Sequence, residues 1–190
     1  MTFREYTSLV QSDLYRYCAN KAMGEFLKHL ITHPGLKYLF VMRSVKYLKG
    51  KGIFGFPVYI IARLVLRHYG YKYGISIPYN TKTGKGLYIG HFGGIVVHYE
   101  AIIGDNCNIN HEVTIGATYG GKYPGTPVIG NNVYMGPGSK IIGGITVGNN
   151  VAVGANCVVS KPIPNNAVVV GVPGEIISLD GAANYVINIA

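Results

Sequence analysis

The sequence predicts a mainly β chain, a parallel β-helix over residues 74–177 preceded by a basic α-helical segment over residues 1–73 and followed by a tail, residues 178–190. Two observations carry this. An aliphatic residue, usually followed by glycine, returns every six residues in the second half, a step that fits neither a helix at 3.6 nor a simple strand at 2. Glycine, at 27 of 190 residues, is about double its usual share of roughly 7%, with abundant valine and isoleucine and no collagen-like period. Short strands joined by frequent turns satisfy both.

The first seventy residues mix apolar and basic residues at helical spacing. Two such stretches are D-L-Y-R-Y-C-A-N-K-A-M-G-E-F-L-K-H-L, from Asp13 to Leu30, and L-K-Y-L-F-V-M-R-S-V-K-Y-L, from Leu36 to Leu48. The breakers T-H-P-G at 32–35 and K-G-K-G at 49–52 separate them. Pro57 is expected to open or kink a third helix running to about Leu66, and the helical pattern ends by Y-G-Y-K-Y-G at 69–74. The longest apolar run, Ile53 to Ala62, stops at Arg63, about half of the roughly 20 residues a membrane span needs.

From Ile77 the six-residue step runs through Thr83, Ile89 and Ile95, takes two extra residues at 101–102, and continues through Ile103, Ile109 and Ile115. The insertion A-T-Y-G-G-K-Y-P-G-T-P follows, from Ala117 to Pro127, and the step resumes at Ile129, Met135, Ile141, Val147 and Val153. The fifth position of each step is small or β-branched, so Cys107 and Cys157 read as core residues. One turn of three steps, lengthened by the two extra residues, places His91 one rung below His111, roughly 4.8 Å away along the backbone.

Charge is uneven: residues 1–72 hold twelve Lys/Arg and three Asp/Glu, residues 73–190 five of each. The β-helix lacks the basic stripe that nucleic acid requires, whereas the basic, aromatic N-terminal segment suits an anionic surface. The three cysteines form no metal-binding spacing, and the N-terminus lacks signal-peptide features, which together predict a cytoplasmic protein.

The repeat, together with G-L-Y-I-G-H-F-G-G-I-V-V from Gly86, V-T-I-G-A from Val113 and the ending V-A-V-G-A-N-C-V-V-S-K-P-I-P with G-V-P from Gly171, resembles the serine O-acetyltransferase branch of the left-handed β-helix acyltransferases. The resemblance covers roughly residues 74–177 and implies a left-handed coil, acetyl-CoA as co-substrate, no metal, and a homotrimer with active sites between neighbours. The serine enzymes also pair their trimers, so a dimer of trimers stays open. It makes His91 the general base, a role suited to an imidazole because an alcohol must lose its proton as it attacks a thioester. The backbone N–H at Gly116–Ala117 is the expected oxyanion donor. Gly136, Ala152, Gly154 and Lys161 match the family's coenzyme contacts by position. His111 is read as a ligand, a second base or a structural neighbour.

Three departures bear on the acceptor. Ser76 and Gly90 stand where the serine enzymes carry aspartates, and the insertion reads K-Y-P-G-T-P from Lys122 where they carry a second histidine. These changes predict a sugar or lipid-linked glycan hydroxyl as acceptor, held by Tyr119, Lys122 and Tyr123, with peripheral contact at an anionic membrane. Glu112, Ser76 or a backbone carbonyl is expected to orient His91. The alternatives are an L-serine O-acetyltransferase of cysteine biosynthesis, a trimeric scaffold without activity, and a zinc site of carbonic anhydrase type using His91, His98 and His111.

Overall fold

The computed structural model describes residues 1–19 and 23–190. Four helices come first: α1 (Phe3–Cys18), α2 (Met23–Thr32), α3 (Pro34–Leu48) and α4 (Gly52–Tyr73). The expected helical stretch from Asp13 to Leu30 is therefore shared between α1 and α2, and residues 20–22 within it lie outside the described residues. Thr2 starts α1 with a capping box, its hydroxyl accepting from the Glu5 N–H while the Glu5 carboxylate accepts from the Thr2 N–H. The third expected helix is longer at both ends. Pro57 lies inside α4, which continues past Leu66 to Tyr73 because Tyr69 and Tyr73 pack onto the first coil, and Gly74 closes it in a left-handed conformation at φ +61°.

From Ile75 the chain visits three sheets in turn. The first sheet takes Ile75–Ser76, Ile95–Val97, Thr114–Gly116, Lys140–Ile142 and Val158–Val159. The second takes Lys82–Thr83, Ile102–Ile103, Val128–Ile129 and Thr146–Val147. Tyr88–Ile89, Asn108–Ile109, Tyr134–Met135, Ala152–Val153 and Val168–Val170 make the third, to which Glu175–Ser178 adds an antiparallel edge. All other pairs are parallel, and partners stand at repeat distance, Val96 opposite Thr114 and Ile141 opposite Val159. This is the parallel-stranded coil with a helical N-terminal part that the six-residue step predicts.

The step works because its first residue points inward on every side. Ile89, Ile109, Met135 and Val153 stack in one column, and Val97, Ile115 and Ile141 in another, all essentially fully buried. Each such side chain contributes about 1.5–3 kcal/mol. Cys107 and Cys157 lie in the same core, and burial pushes the Cys107 thiol up to about 12, leaving it protonated. Corners need a residue that tolerates positive φ, which is why asparagine occurs at 106, 132, 150 and 156, each near φ +55°. At 130 the limit is space: a Cβ there would stand 2.7 Å from the Gly148 carbonyl oxygen of the next coil.

The helices grip the lower coils through buried polar contacts. Arg43 on α3 pairs with Asp13 on α1 at 2.9 Å, both almost fully buried. The Tyr38 hydroxyl donates to the Ile77 carbonyl at 2.8 Å. Among the described residues, no helix is long and apolar enough to cross a membrane.

Candidate active site

His91 and His111 stand at the corner between the third and first sheets. The pairing of Ile89 with Ile109 sets them one rung apart, and their rings meet edge to face with centroids 5.9 Å apart. His91 is exposed and His111 half-buried. Gly93 and Gly94, at φ +109° and +65°, make the turn after His91 that returns the chain to the first sheet. The Glu112 N–H donates to the Gly93 carbonyl at 2.7 Å, locking one turn onto the next.

The cleft beside His91 encloses about 290 Å³. Its walls are largely aromatic and amide: Tyr88, Asn108 and Tyr134 form a column on the outer face of the third sheet, with Asn110 beside them. On the helix side, Tyr17 both donates to the Ile89 carbonyl and accepts from the Ile89 N–H, each at 3.1 Å. Burial raises its phenol far above the ordinary range, so Tyr17 stays neutral. Arg16 spans the floor, donating to Asn108 Oδ1 at 2.5 Å and to the carbonyls of Gly86 and Ile187 at 3.0 and 2.9 Å.

Residues 178–190, which carry no readable motif, supply the remaining wall. The tail runs back along the third sheet: Ala182 and Val186 cover Ala152, Tyr185 stacks on Tyr134 with centroids 4.9 Å apart, and the Ala190 N–H donates to Asn106 Oδ1 at 3.0 Å. Tyr185, Ile187 and Asn188 thereby face the cleft that holds His91.

Within one chain the expected site residues fall into two groups. His91, His111 and Glu112 share the corner between the third and first sheets. Ala117, Tyr119, Lys122 and Tyr123 lie at the next corner, because the strand Thr114–Gly116 separates His111 from the insertion. The loop and the histidines therefore do not frame one site in a single chain. Hydrogen bonds between Thr118 and Gly125 close the insertion into a hairpin that leaves Tyr119 93% exposed. Beneath it lies a second cleft of about 500 Å³ where Lys122 and Tyr123 face Ser160 and Lys161.

The remaining expected contacts are placed as follows. Lys161 is ion-paired with Glu175 at 2.9 Å. Gly136 and Ala152 are buried, the first under the next coil and the second, 3% exposed, under the tail, so neither offers the open surface expected for a coenzyme contact. At Gly154 a Cβ would lie 2.9 Å from Val170, so the site admits no larger side chain.

Of the groups expected to orient His91, Ser76 lines a different cleft, with Tyr38 and Tyr79. Glu112 stands in a left-handed conformation at φ +58°, its side chain against Gly94 and its carbonyl accepting from Lys140 Nζ. Among the described residues, no carboxylate oxygen comes within 4 Å of the His91 ring nitrogens. His98 sits at the insertion corner against Tyr99, away from the other two histidines, and no three metal-ligating side chains converge among the described residues.

Residues 126–161 match the family model described as bacterial transferase hexapeptide (six repeats). The chain is 36% identical over 157 residues to a serine acetyltransferase of Synechococcus elongatus, covering 82% of this chain and 62% of the relative. It is 41% identical over 123 residues to one of Staphylococcus epidermidis, covering 65% and 58%. The chain thus spans about three fifths of the length of these relatives. Among solved structures, a serine acetyltransferase of Brucella abortus superposes with a TM-score of 0.78 at 28% identity, over 95% of this chain and 72% of that one. One of Neisseria gonorrhoeae in complex with serine gives 0.73 at 29%, over 90% and 69%. A Brucella abortus serine acetyltransferase in complex with coenzyme A gives 0.76 at 28%, over 93% and 69%. These findings overturn the sugar or glycan acceptor expected from Ser76, Gly90 and the insertion. The chain carries the transferase hexapeptide repeat; the relatives that share more than a third of its aligned residues are serine acetyltransferases, and so are the solved structures on which it superposes along nearly its whole length.

Proposed function

We propose that the protein is an O-acetyltransferase that moves the acetyl group of acetyl-CoA to the hydroxyl of L-serine, with His91 as general base on a left-handed coil. The observation that carries this reading is His91 itself, exposed at an open cleft in the repeat position that the base occupies in the enzymes it resembles. His91 takes the hydroxyl proton as the serine oxygen bonds to the thioester carbon, then returns it to the departing thiolate. No covalent bond to the enzyme forms.

Serine also brings an ammonium and a carboxylate, which need partners of opposite charge. Glu112 and Lys140 supply such a pair beside His111 without the aspartates missing at 76 and 90, since Lys140 already reaches the Glu112 carbonyl. The insertion at the neighbouring corner supports a homotrimer: a second chain placed against His91 would contribute its Ala117 N–H, Tyr119, Lys122 and Tyr123. The cleft of Lys122 and Lys161 has the charge to receive the phosphates of acetyl-CoA once Lys161 leaves Glu175.

The test is thiol release from acetyl-CoA with L-serine and with hydroxyl compounds that lack the amino acid group, such as glycerol and glucose. L-Serine should turn over at least about a hundredfold faster, since a site with unpaired charged groups rejects acceptors that leave them unmet. A protein that binds acetyl-CoA but does not turn over L-serine would refute the reading.

The tail gives a second expectation. Tyr185→Ala removes the ring stacked on Tyr134 and widens the His91 cleft, so KM for L-serine should rise about tenfold with kcat little changed. Unchanged steady-state parameters would show that the tail only covers the sheet.

A further inference from the structure

Helix α4 is apolar on two faces, although only one is packed. Tyr59, Ala62, Leu66, Tyr69 and Tyr73, spaced three and four apart, rest against the rest of the molecule. The opposite side carries Phe54, Ile61 and Leu64, which are 96%, 61% and 59% exposed, and Ile53 beside them is 82% exposed. A helix that is apolar nearly all round is ordinarily buried, so this outer stripe calls for something to cover it.

Charge indicates what that is. From Phe26 to Tyr99 the sequence contains no Asp or Glu. Around the apolar stripe stand Lys51, Arg63, Arg67 and Lys72, all exposed. Arg63 and Arg67 lie over the rings of Tyr59 and Tyr71, which keeps their charged ends at the helix surface. A second copy of α4 would bring like charges together with no carboxylate to offset them. An anionic lipid surface takes the apolar residues into its acyl boundary and pairs the flanking cations with headgroups.

We infer that α4 docks the protein onto anionic membranes as a surface helix that lies in the interface without spanning it. This goes beyond the acetyltransferase reading and does not depend on the acceptor. In co-sedimentation, the full chain should bind vesicles of phosphatidylcholine with phosphatidylglycerol at least about tenfold more strongly than vesicles of phosphatidylcholine alone, and less strongly as salt is raised. The double variant Phe54→Glu/Ile61→Glu should lose this binding while keeping the wild-type melting temperature and turnover, because both side chains point away from the core. Equal binding to the two vesicle types, no binding, or binding retained by the double variant would each overturn the inference. So would a wild-type assembly that the same variant splits in solution, since that would give the stripe to a second copy.

Discussion

His91→Ala should lower kcat for acetyl transfer to L-serine by about 10²- to 10⁴-fold, the usual contribution of a positioned general base. Binding of acetyl-CoA, read by calorimetry, should stay near wild type, because the substitution removes a proton acceptor and leaves both lysines of the Lys122 and Lys161 cleft in place. His111→Ala should cost less, since His111 is half-buried and meets His91 through a ring edge. A His91→Ala enzyme that keeps more than a tenth of the wild-type kcat would remove His91 from the chemistry. The nearest replacement would then be His111.

The histidine pair was legible because the period of six does two jobs: it names the inward residues and fixes which residues share a corner. The same count also exposes the outward column of Tyr88, Asn108 and Tyr134, which follows from the register at the sixth position but carries no motif of its own. Ser76 and Gly90 argue against an amino acid acceptor only while the missing aspartates are the sole carboxylates considered. Lys140 reaches the Glu112 backbone across a rung, a contact that no local stretch of sequence displays. The tail was opaque for a different reason. Its partners Arg16, Asn106, Asn108 and Asn150 are scattered along the chain, and its role is to meet hydrogen-bonding groups on the outside of the third sheet. By contrast, T-F-R-E at residues 2–5 states the capping box of α1 openly, and the first helix could have been started there.

Asp13→Ala should be the most damaging substitution outside the cleft. Asp13 Oδ2 accepts from Arg43 Nε at 2.9 Å, and Oδ1 accepts from Arg43 Nη2 at 3.2 Å and from the Leu87 N–H at 2.9 Å. Arg43 donates in addition to Thr83 Oγ1 at 2.8 Å and to the Gly84 carbonyl at 2.6 Å. Removing the carboxylate leaves a buried guanidinium without its counter-charge, at a cost of about 3–5 kcal/mol. For a chain of this size the melting temperature should fall by roughly 6–20 °C. The double variant Asp13→Leu/Arg43→Met should lose less than Asp13→Ala, because it buries no unpaired charge. A single variant that melts within about 3 °C of wild type, well below that range, would show that water reaches the pair and that it contributes little. The consequence extends to the cleft. Asp13 stands on the same helix as Arg16 and Tyr17, which form its floor and helix-side wall, so a loosened α1 should lower turnover before the coil itself unfolds.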